Sequence, residues 1–335
     1  MSESLLQVED LHTSFSTARG LVRAVDGVSF TLDRGQTLGI VGESGCGKSI
    51  LSRSLLRLLP RRNVLSRGSI KFDGRELTTL SEREMRGIWG RDTAIIFQDA
   101  MTSLNPVLRI GVQIGESLQH HLSLSRRAAR ARAVDLLDSV GIPDARRRLG
   151  AYPHELSGGM RQRVMIAIAL ACEPKLLIAD EPTTALDVTV QAQILDLLQE
   201  QQRERQMAMI LITHDLGVVA GRTDAVAVMY AGRFVEFAAT SELFARMRMP
   251  YTEALFQSVP KLEAPSHSRL RVIPGRPPDL ASLGQGCPFA PRCAYVQDRC
   301  RSERPSLEGG DHAYACWFPL VQGARPVGAT TGGLR

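Results

Sequence analysis

The stretch that most constrains this 335-residue chain is GESGCGKS, residues 42–49. It matches the pattern G-x-x-x-x-G-K-[ST], follows the apolar run TLGIV and leads into a stretch with helical apolar spacing. Glycines let a backbone turn tightly and point its amides inward, and a helix N-terminus adds partial positive charge. The sequence therefore predicts a phosphate-binding loop between a strand and a helix, with Lys48 on the β- and γ-phosphates and Ser49 on Mg²⁺.

A second predicted strand end carries two adjacent carboxylates. In LLIADE, residues 176–181, four apolar residues precede Asp180 and Glu181. Ligands of open α/β sheets bind at the carboxyl ends of the strands, which is where Asp180 would emerge. We therefore assign Asp180 to the Mg²⁺ shell and Glu181 to the polarisation of an attacking water.

The order of the predicted elements indicates an α/β fold. Strands alternate with helices from residue 160 onward, which is typical of a parallel sheet covered on both faces. Residues 100–155 instead have helical periodicity and many arginines. After about residue 262 regular patterns fade, and Pro, Gly and Cys dominate.

Composition and hydropathy indicate which partners and which cellular compartment the chain can have. The net charge of +6 permits an acidic partner or a membrane surface without requiring nucleic acid. No apolar run approaches the roughly 18 residues needed to cross a bilayer, and the N-terminus lacks the pattern of a secretory signal. We expect a cytoplasmic chain, in which thiols stay reduced and clustered cysteines more often bind metal than form disulfides.

The stretch LSGGMRQRV, residues 156–164, resembles the signature motif of ATP-binding cassette proteins. Ser157, Gly158 and Gly159 are predicted to cap a helix with exposed amides, which makes a second anion site. The resemblance implies that two subunits pair head to tail. Each ATP is then sandwiched between the phosphate-binding loop of one subunit and the signature of the other.

Further positions resemble the family's motifs in order. Gln98 is similar to the Q-loop glutamine that senses the metal and the attacking water, Asp187 to the D-loop residue at the dimer seam, and His214 to the switch histidine on the γ-phosphate. Phe15 is similar to the aromatic that stacks on adenine. The implied ATP-binding set is Phe15, Gly42, Ser44, Gly45, Cys46, Gly47, Lys48, Ser49, Ser157, Gly158, Gly159 and Asp187, with Glu181, His214 and Gln98 as catalytic residues and Ser49, Gln98 and Asp180 around Mg²⁺.

The resemblance also implies the domain organisation. We expect residues 1–260 to form an α/β P-loop NTPase core of the RecA-like, ATP-binding cassette type. This core would contain an N-terminal antiparallel β subdomain and a helical subdomain over about residues 100–158. Residues 261–320 would form a small Cys-rich C-terminal extension, and residues 321–335 a disordered tail.

Four of the six cysteines lie near the C-terminus, at Cys287, Cys293, Cys300 and Cys316. Four thiolates can ligate iron–sulfur or zinc, although no C-x-x-C pair is present, and unligated thiols are a third alternative. The stretches PYTEAL, IPGRPPDL and GCPFAPRC resemble the C-terminal extension of oligopeptide and dipeptide importer ATPases. Some members of that subfamily hold a 4Fe-4S cluster there, so the resemblance implies a 4Fe-4S cluster on these four cysteines. Its expected role is structural, because a segment with so little apolar content cannot build a core and metal cross-links could fold it.

The family implies a function. We expect the ATP-hydrolysing, nucleotide-binding subunit of a membrane importer for dipeptides or oligopeptides, bound peripherally to the cytoplasmic face of the inner membrane. Its partners would be two membrane permease subunits, a second cassette ATPase in a heterodimer, and an extracytoplasmic substrate-binding protein, with no nucleic acid. Nickel or glutathione import, and a soluble cassette ATPase acting on DNA or ribosomes, are the alternatives.

Overall fold

A computed structural model of the chain describes residues 4–18, 20–60, 62–98, 103–183, 187–258 and 272–321. The chain divides into two compact units. The first unit comprises residues 1–7, 31–37 and 70–212, and the second comprises residues 8–30, 38–69 and 213–335. The predicted domain boundary at residue 260, the start of the predicted helical subdomain at about residue 100, and residues 322–335 of the predicted tail lie outside the described residues.

The strands of the described residues are β1 (Leu6–Thr17), β2 (Gly20–Leu32), β3 (Thr37–Val41), β4 (Val64–Phe72), β5 (Arg75–Glu76), β6 (Thr93–Ile96), β7 (Leu176–Asp180), β8 (Ala208–Thr213), β9 (Ala225–Tyr230), β10 (Arg233–Ala239) and β11 (His312–Tyr314). The helices are α1 (Lys48–Leu55), α2 (Glu82–Arg86), α3 (Ile110–Leu122), α4 (Arg126–Ser139), α5 (Ala145–Arg148), α6 (Gly158–Leu170), α7 (Val188–Arg205), α8 (Leu216–Val219), α9 (Thr240–Ala245), α10 (Pro250–Ser258) and α11 (Asp298–Ser302). None of these helices has the length and apolar character required to cross a membrane.

The core of the first unit contains three parallel strands in the order β8-β7-β6. Ile178 in the middle of β7 pairs with Ile95 on one side and with Ile210 on the other. Every residue of β7 and every residue of β8 is buried. Strands buried on both faces read as continuous apolar runs, which is why LLIAD and AMILIT contain no alternation.

The arginine-rich stretch of the first unit folds as helices. α4 begins after Ser125, whose hydroxyl accepts a hydrogen bond from the amide of Ala128. Its buried residues, Ala129, Ala133, Leu136 and Leu137, recur at helical spacing, and the arginines at its N-terminal end lie on the exposed side. The helical periodicity predicted for this stretch is therefore present.

The second unit contains β3 and β9 as a parallel pair, with β10 antiparallel to β9 and β11 antiparallel to β10. All five residues of β3 are buried. A separate Cys-rich extension, part of the predicted fold class, is not supported. β11 pairs with β10, and residues 213–335 belong to the same compact unit as residues 38–69. Sequence periodicity missed β11 because the strand has only three residues.

A buried carboxylate joins β11 to the unit. Glu236 on β10 is 0% exposed, and its carboxylate accepts hydrogen bonds from the amides of Arg248 and Met249 at 2.6 and 3.1 Å. Nε2 of His312 on β11 lies 2.8 Å from the same carboxylate. One side chain thus satisfies two backbone donors at the turn before α10 and anchors the neighbouring strand.

Replacing Glu236 with Ala should destabilise the protein by about 2–4 kcal/mol, because it leaves buried amide donors without acceptors. The matched control is Glu82→Ala, which removes a 56% exposed carboxylate paired with Arg86 and should cost no more than about 0.5 kcal/mol. The free energy of unfolding from urea titration measures both changes. Equal effects of the two substitutions would show that the buried carboxylate does not stabilise this part of the fold.

Candidate active site

Residues 42–49, called the P-loop below, connect β3 to α1 as the sequence predicts. Gly47 precedes α1 with φ 112°, and a Cβ atom there would lie 2.2 Å from the carbonyl oxygen of Ala24. A Cβ atom on Gly42 would lie 2.3 Å from the carbonyl oxygen of Met229. Neither position has room for any side chain, so these two glycines fix the path of the loop.

Lys48, the first residue of α1, lies beneath the P-loop and is only 4% exposed. Its Nζ donates hydrogen bonds to the carbonyl oxygens of Gly42 and Glu43 at 2.7 and 3.1 Å. Ser44 and Gly45 form the exposed part of the loop. The arrangement places a buried positive charge under an exposed glycine-rich backbone at a helix N-terminus, and this combination favours an anion.

Cys46 and Ser49 complete the P-loop. Cys46 is 6% exposed, and its burial raises the pKa of its thiol, against the opposing effect of the Lys48 charge. A neutral thiol at this position packs as a small apolar side chain. Ser49, the second residue of α1, is half-buried. A hydroxyl oxygen is a ligand that Mg²⁺ accepts, and the predicted role of Ser49 on Mg²⁺ stays a prediction.

Two residues that sequence reasoning did not assign to the site hold the second position of the P-loop. The hydroxyl of Tyr251 accepts a hydrogen bond from the amide of Glu43 at 2.9 Å. The guanidinium of Arg292 binds both carboxylate oxygens of Glu43, at 2.6 and 2.7 Å. Arg292 is 249 residues from Glu43 in sequence, so no local pattern reveals the pair.

Two further predicted residues lie in the second unit. His214 follows β8 directly and is exposed, and the next residue, Asp215, caps α8 by accepting a hydrogen bond from Gly217. Phe15 lies on β1 and is half-buried. The predicted roles of His214 on the γ-phosphate and of Phe15 on adenine stay predictions.

In the first unit the structure brings Gln98 and Glu181 together. The side-chain amide of Gln98 donates a 2.8 Å hydrogen bond to Oε2 of Glu181. Glu181 follows β7 with a positive φ of 49°, and its amide donates to the carbonyl oxygen of Ile212 at 2.9 Å. This conformation is uncommon for a residue with a long side chain. The side-chain amide of Gln98 therefore holds one carboxylate oxygen of Glu181 in place, and the predicted role of Glu181 on the attacking water stays a prediction.

Asp180 ends β7 immediately before this pair. It is 2% exposed, so its carboxylate is placed by the buried strand rather than by solvent. A carboxylate oxygen is a ligand that Mg²⁺ favours. The sequence-based assignment of Asp180 to Mg²⁺ therefore has the residue type and the strand-end position that it requires.

The signature residues form the predicted helix cap. The hydroxyl of Ser157 accepts a hydrogen bond from the amide of Met160, and α6 begins at Gly158. Ser157 and Gly158 are exposed. The guanidinium of Arg161 donates from Nε to the carbonyl oxygens of Pro153 and Leu156, which fixes the chain that enters the cap. The exposed N-terminus of α6 is therefore available to a partner.

Asp187 is also a helix cap. Its carboxylate accepts a 2.9 Å hydrogen bond from the amide of Val190 at the start of α7. The sequence assigned Asp187 to a subunit seam, and that role stays a prediction. The structure adds a local role that the sequence did not assign to it.

The four C-terminal cysteines converge on one small cavity of about 20 Å³. Their thiols are free, and the amide of Cys287 donates to the carbonyl oxygen of Cys300. Burial raises the pKa of Cys293 to about 11 and that of Cys316 to about 12, which further favours the protonated form of both thiols. Among the described residues, which include all four cysteines, no group of three or more potential ligands is arranged to hold a metal ion. The structure therefore does not support the predicted 4Fe-4S cluster.

Replacing Glu181 with Gln should leave nucleotide affinity unchanged and lower the turnover number for ATP by about 10²–10⁴-fold, because the base is lost. Replacing Gln98 with Ala should lower turnover by a smaller factor, because the carboxylate remains but is no longer oriented by the amide. Turnover is measured by phosphate release and affinity by calorimetry, with Glu200→Gln on the exposed face of α7 as the control. Full-rate hydrolysis by Glu181→Gln would contradict the assignment of the base.

Comparison with known proteins identifies the family of the chain. The family model "ABC transporter" matches residues 25–184, and the model "Oligopeptide/dipeptide transporter, C-terminal region" matches residues 235–300. The chain is 51% identical over 319 residues to the dipeptide transport ATP-binding protein DppD of Bacillus subtilis, which covers 94% of this chain and 95% of the relative. It is 52% identical over 320 residues to the oligopeptide transport ATP-binding protein OppD of Salmonella typhimurium, covering 95% of each.

Solved structures show the same fold. The dimeric bacterial ABC transporter cassette MJ0796 is 25% identical with a TM-score of 0.63, and the match covers 70% of this chain and 98% of the cassette. The protein cbiO1 from Clostridium perfringens, described as part of the ABC transporter complex cbiONQ, is 30% identical with a TM-score of 0.61 over 73% of this chain and 92% of its own. The chain therefore belongs to the ABC transporter family of ATP-binding proteins.

Proposed function

We propose that the chain is the ATP-hydrolysing subunit of a membrane importer for dipeptides or oligopeptides. The observation that carries this proposal is the P-loop, where Lys48 is buried beneath the exposed Ser44 and Gly45 at the start of α1. The orientation of Glu181 by Gln98 adds the group that hydrolysis requires. Relatives about 50% identical over most of the chain are named for dipeptide or oligopeptide transport, which supports the choice of substrate.

The proposed roles follow the motifs. The P-loop amides and Lys48 bind the phosphates of ATP. The oxygens of Ser49 and Asp180, together with Gln98, form the coordination shell of Mg²⁺. Glu181 accepts the proton of the attacking water, and His214 contacts the γ-phosphate. Phe15 stacks on adenine. The signature cap of Ser157, Gly158 and Gly159, together with Asp187, serves the ATP bound by an opposing subunit.

The proposed assembly contains a second cassette ATPase, two membrane permease subunits and an extracytoplasmic substrate-binding protein. The chain would bind the permeases at the cytoplasmic face of the inner membrane. The exposed signature cap supports pairing with another cassette, because it presents unshielded helix amides. The dimeric MJ0796 cassette and the cbiONQ complex that contains cbiO1 are consistent with such an assembly. We further propose residues 1–260 as the nucleotide-binding region and residues 261–320 as the C-terminal region.

The four clustered cysteines are the proposed ligands of a 4Fe-4S cluster. Their convergence on one cavity supports this proposal. The absence, among residues 272–321, of a group of three or more potential ligands that could hold a metal ion argues against it. Anaerobic purification followed by iron and sulfide analysis tests it. The proposal predicts about four iron and four sulfide per chain. Colourless protein with stoichiometric zinc, or without metal, would refute it.

Deletion of the gene should abolish uptake of radiolabelled di- and oligopeptides by the cell, and re-expression of the intact chain should restore it. Re-expression of Glu181→Gln should not restore uptake, because binding without hydrolysis cannot drive repeated transport. Uptake of nickel and glutathione in the same strains is the matched comparison. Loss of nickel or glutathione uptake with intact peptide uptake would show that the substrate is not a peptide. Unchanged uptake of peptides, nickel and glutathione would refute the importer function.

A further inference from the structure

A buried arginine near the C-terminus is tied to the P-loop. Arg292 lies in a helical turn, Ala290–Arg292, and its side chain is only 5% exposed. Both of its terminal nitrogens bind the carboxylate of Glu43, at 2.6 and 2.7 Å. Two parallel bonds between a guanidinium and a carboxylate fix both distance and orientation, which a single contact cannot do.

Arg292 is itself held in place by its neighbours. Its Nε donates to the carbonyl oxygen of Pro274 at 2.8 Å, and one terminal nitrogen lies 3.3 Å from the hydroxyl of Tyr230. The Tyr230 ring packs against Tyr251 and Phe289, with ring centroids 4.5 and 5.5 Å apart. The guanidinium therefore contacts the P-loop from a largely buried cluster of packed side chains.

Each polar group of Glu43 has a partner in this support or in the loop. The amide donates to Tyr251, the carboxylate binds Arg292, and the carbonyl oxygen accepts from Lys48 at 3.1 Å. The amide of Glu43 shares a peptide unit with the carbonyl of Gly42, and the carbonyl of Glu43 belongs to the next unit. The contacts that hold Glu43 therefore help to place both carbonyl oxygens that accept from Lys48. In the proposed function, Lys48 is the positively charged P-loop residue that binds the phosphates of ATP. A substitution of Arg292 should therefore alter ATP binding indirectly, by displacing first Glu43 and then Lys48.

We propose that Arg292 is a positioning residue for ATP, and that the C-terminal region thereby sets the nucleotide affinity of the P-loop; this inference rests on the proposed binding of ATP by the P-loop. Arg292 does not touch ATP in this proposal. It holds Glu43, and Glu43 places Lys48. The same segment carries Cys287, Cys293 and Cys300, which line the small cavity described above. A substitution that changes the shape of this cavity should therefore also change the position of Arg292 relative to the P-loop.

The test compares variants of Arg292 in the full-length chain. Arg292→Gln should raise the Kd for ATP, measured by calorimetry, by roughly tenfold or more, since it removes a charged hydrogen-bonded pair. Arg292→Lys should show a smaller increase, because an ammonium cannot bind both oxygens in parallel. In the assembled transporter, the KM for ATP should rise more than kcat falls. Arg301→Gln, an exposed arginine of the same segment, is the matched control and should leave Kd and KM unchanged.

A double-mutant cycle separates positioning from simple loss of stability. Glu43→Gln alone should weaken ATP binding, and adding Arg292→Gln to it should weaken binding little further, because the pair is already broken. If Arg292→Gln does not fold, Arg292→Lys and Glu43→Gln decide the question. A Kd and KM within twofold of the intact chain in every folded variant, with only the melting temperature lowered, would overturn the proposal.

Discussion

The burial of one ammonium group beneath a glycine-rich loop is the constraint on which the site depends. Lys48 is 4% exposed, and the carbonyl oxygens of Gly42 and Glu43 hold its Nζ. A buried charge is costly unless hydrogen bonds and a counter-charge offset its desolvation. The two carbonyl oxygens supply such hydrogen bonds. The loop can follow this path because residues 42 and 47 are glycines, where a Cβ atom would lie within 2.3 Å of another backbone oxygen. The fold thus sets up a site that favours an anion.

The two units contribute different chemistry to the proposed function. The second unit carries the P-loop and the residues that hold Glu43, and its sheet extends to β11 near the C-terminus. The first unit carries Gln98, Glu181 and the exposed signature cap. In the proposed function, phosphate binding and orientation of the base therefore depend on separate sets of contacts, so substitutions should affect ATP affinity and turnover independently.

The sequence predicted the parts of the site that depend on local pattern. The P-loop, the buried strand before Asp180 and the cap at Ser157 all follow from neighbouring residues, and the structure contains each of them. Local pattern cannot reveal contacts between distant residues, so it missed the binding of Glu43 by Arg292 and by Tyr251. The pattern also favoured a metal centre at the four cysteines. Spacing cannot show how the fold places the four thiols, which line one cavity but form no group of three or more ligands arranged to hold an ion among the described residues.

Hydrogen exchange of the full-length Glu181→Gln variant, with and without Mg²⁺ and ATP, tests the central claim most directly. The substitution is expected to lower turnover by about 10²–10⁴-fold, so that most of the nucleotide stays intact during labelling. The account predicts that backbone amides in peptides covering residues 42–49 become protected when ATP is added, because they donate to its phosphates. Unchanged exchange across these residues at saturating ATP, with protection only elsewhere, would contradict the claim that this loop holds the nucleotide.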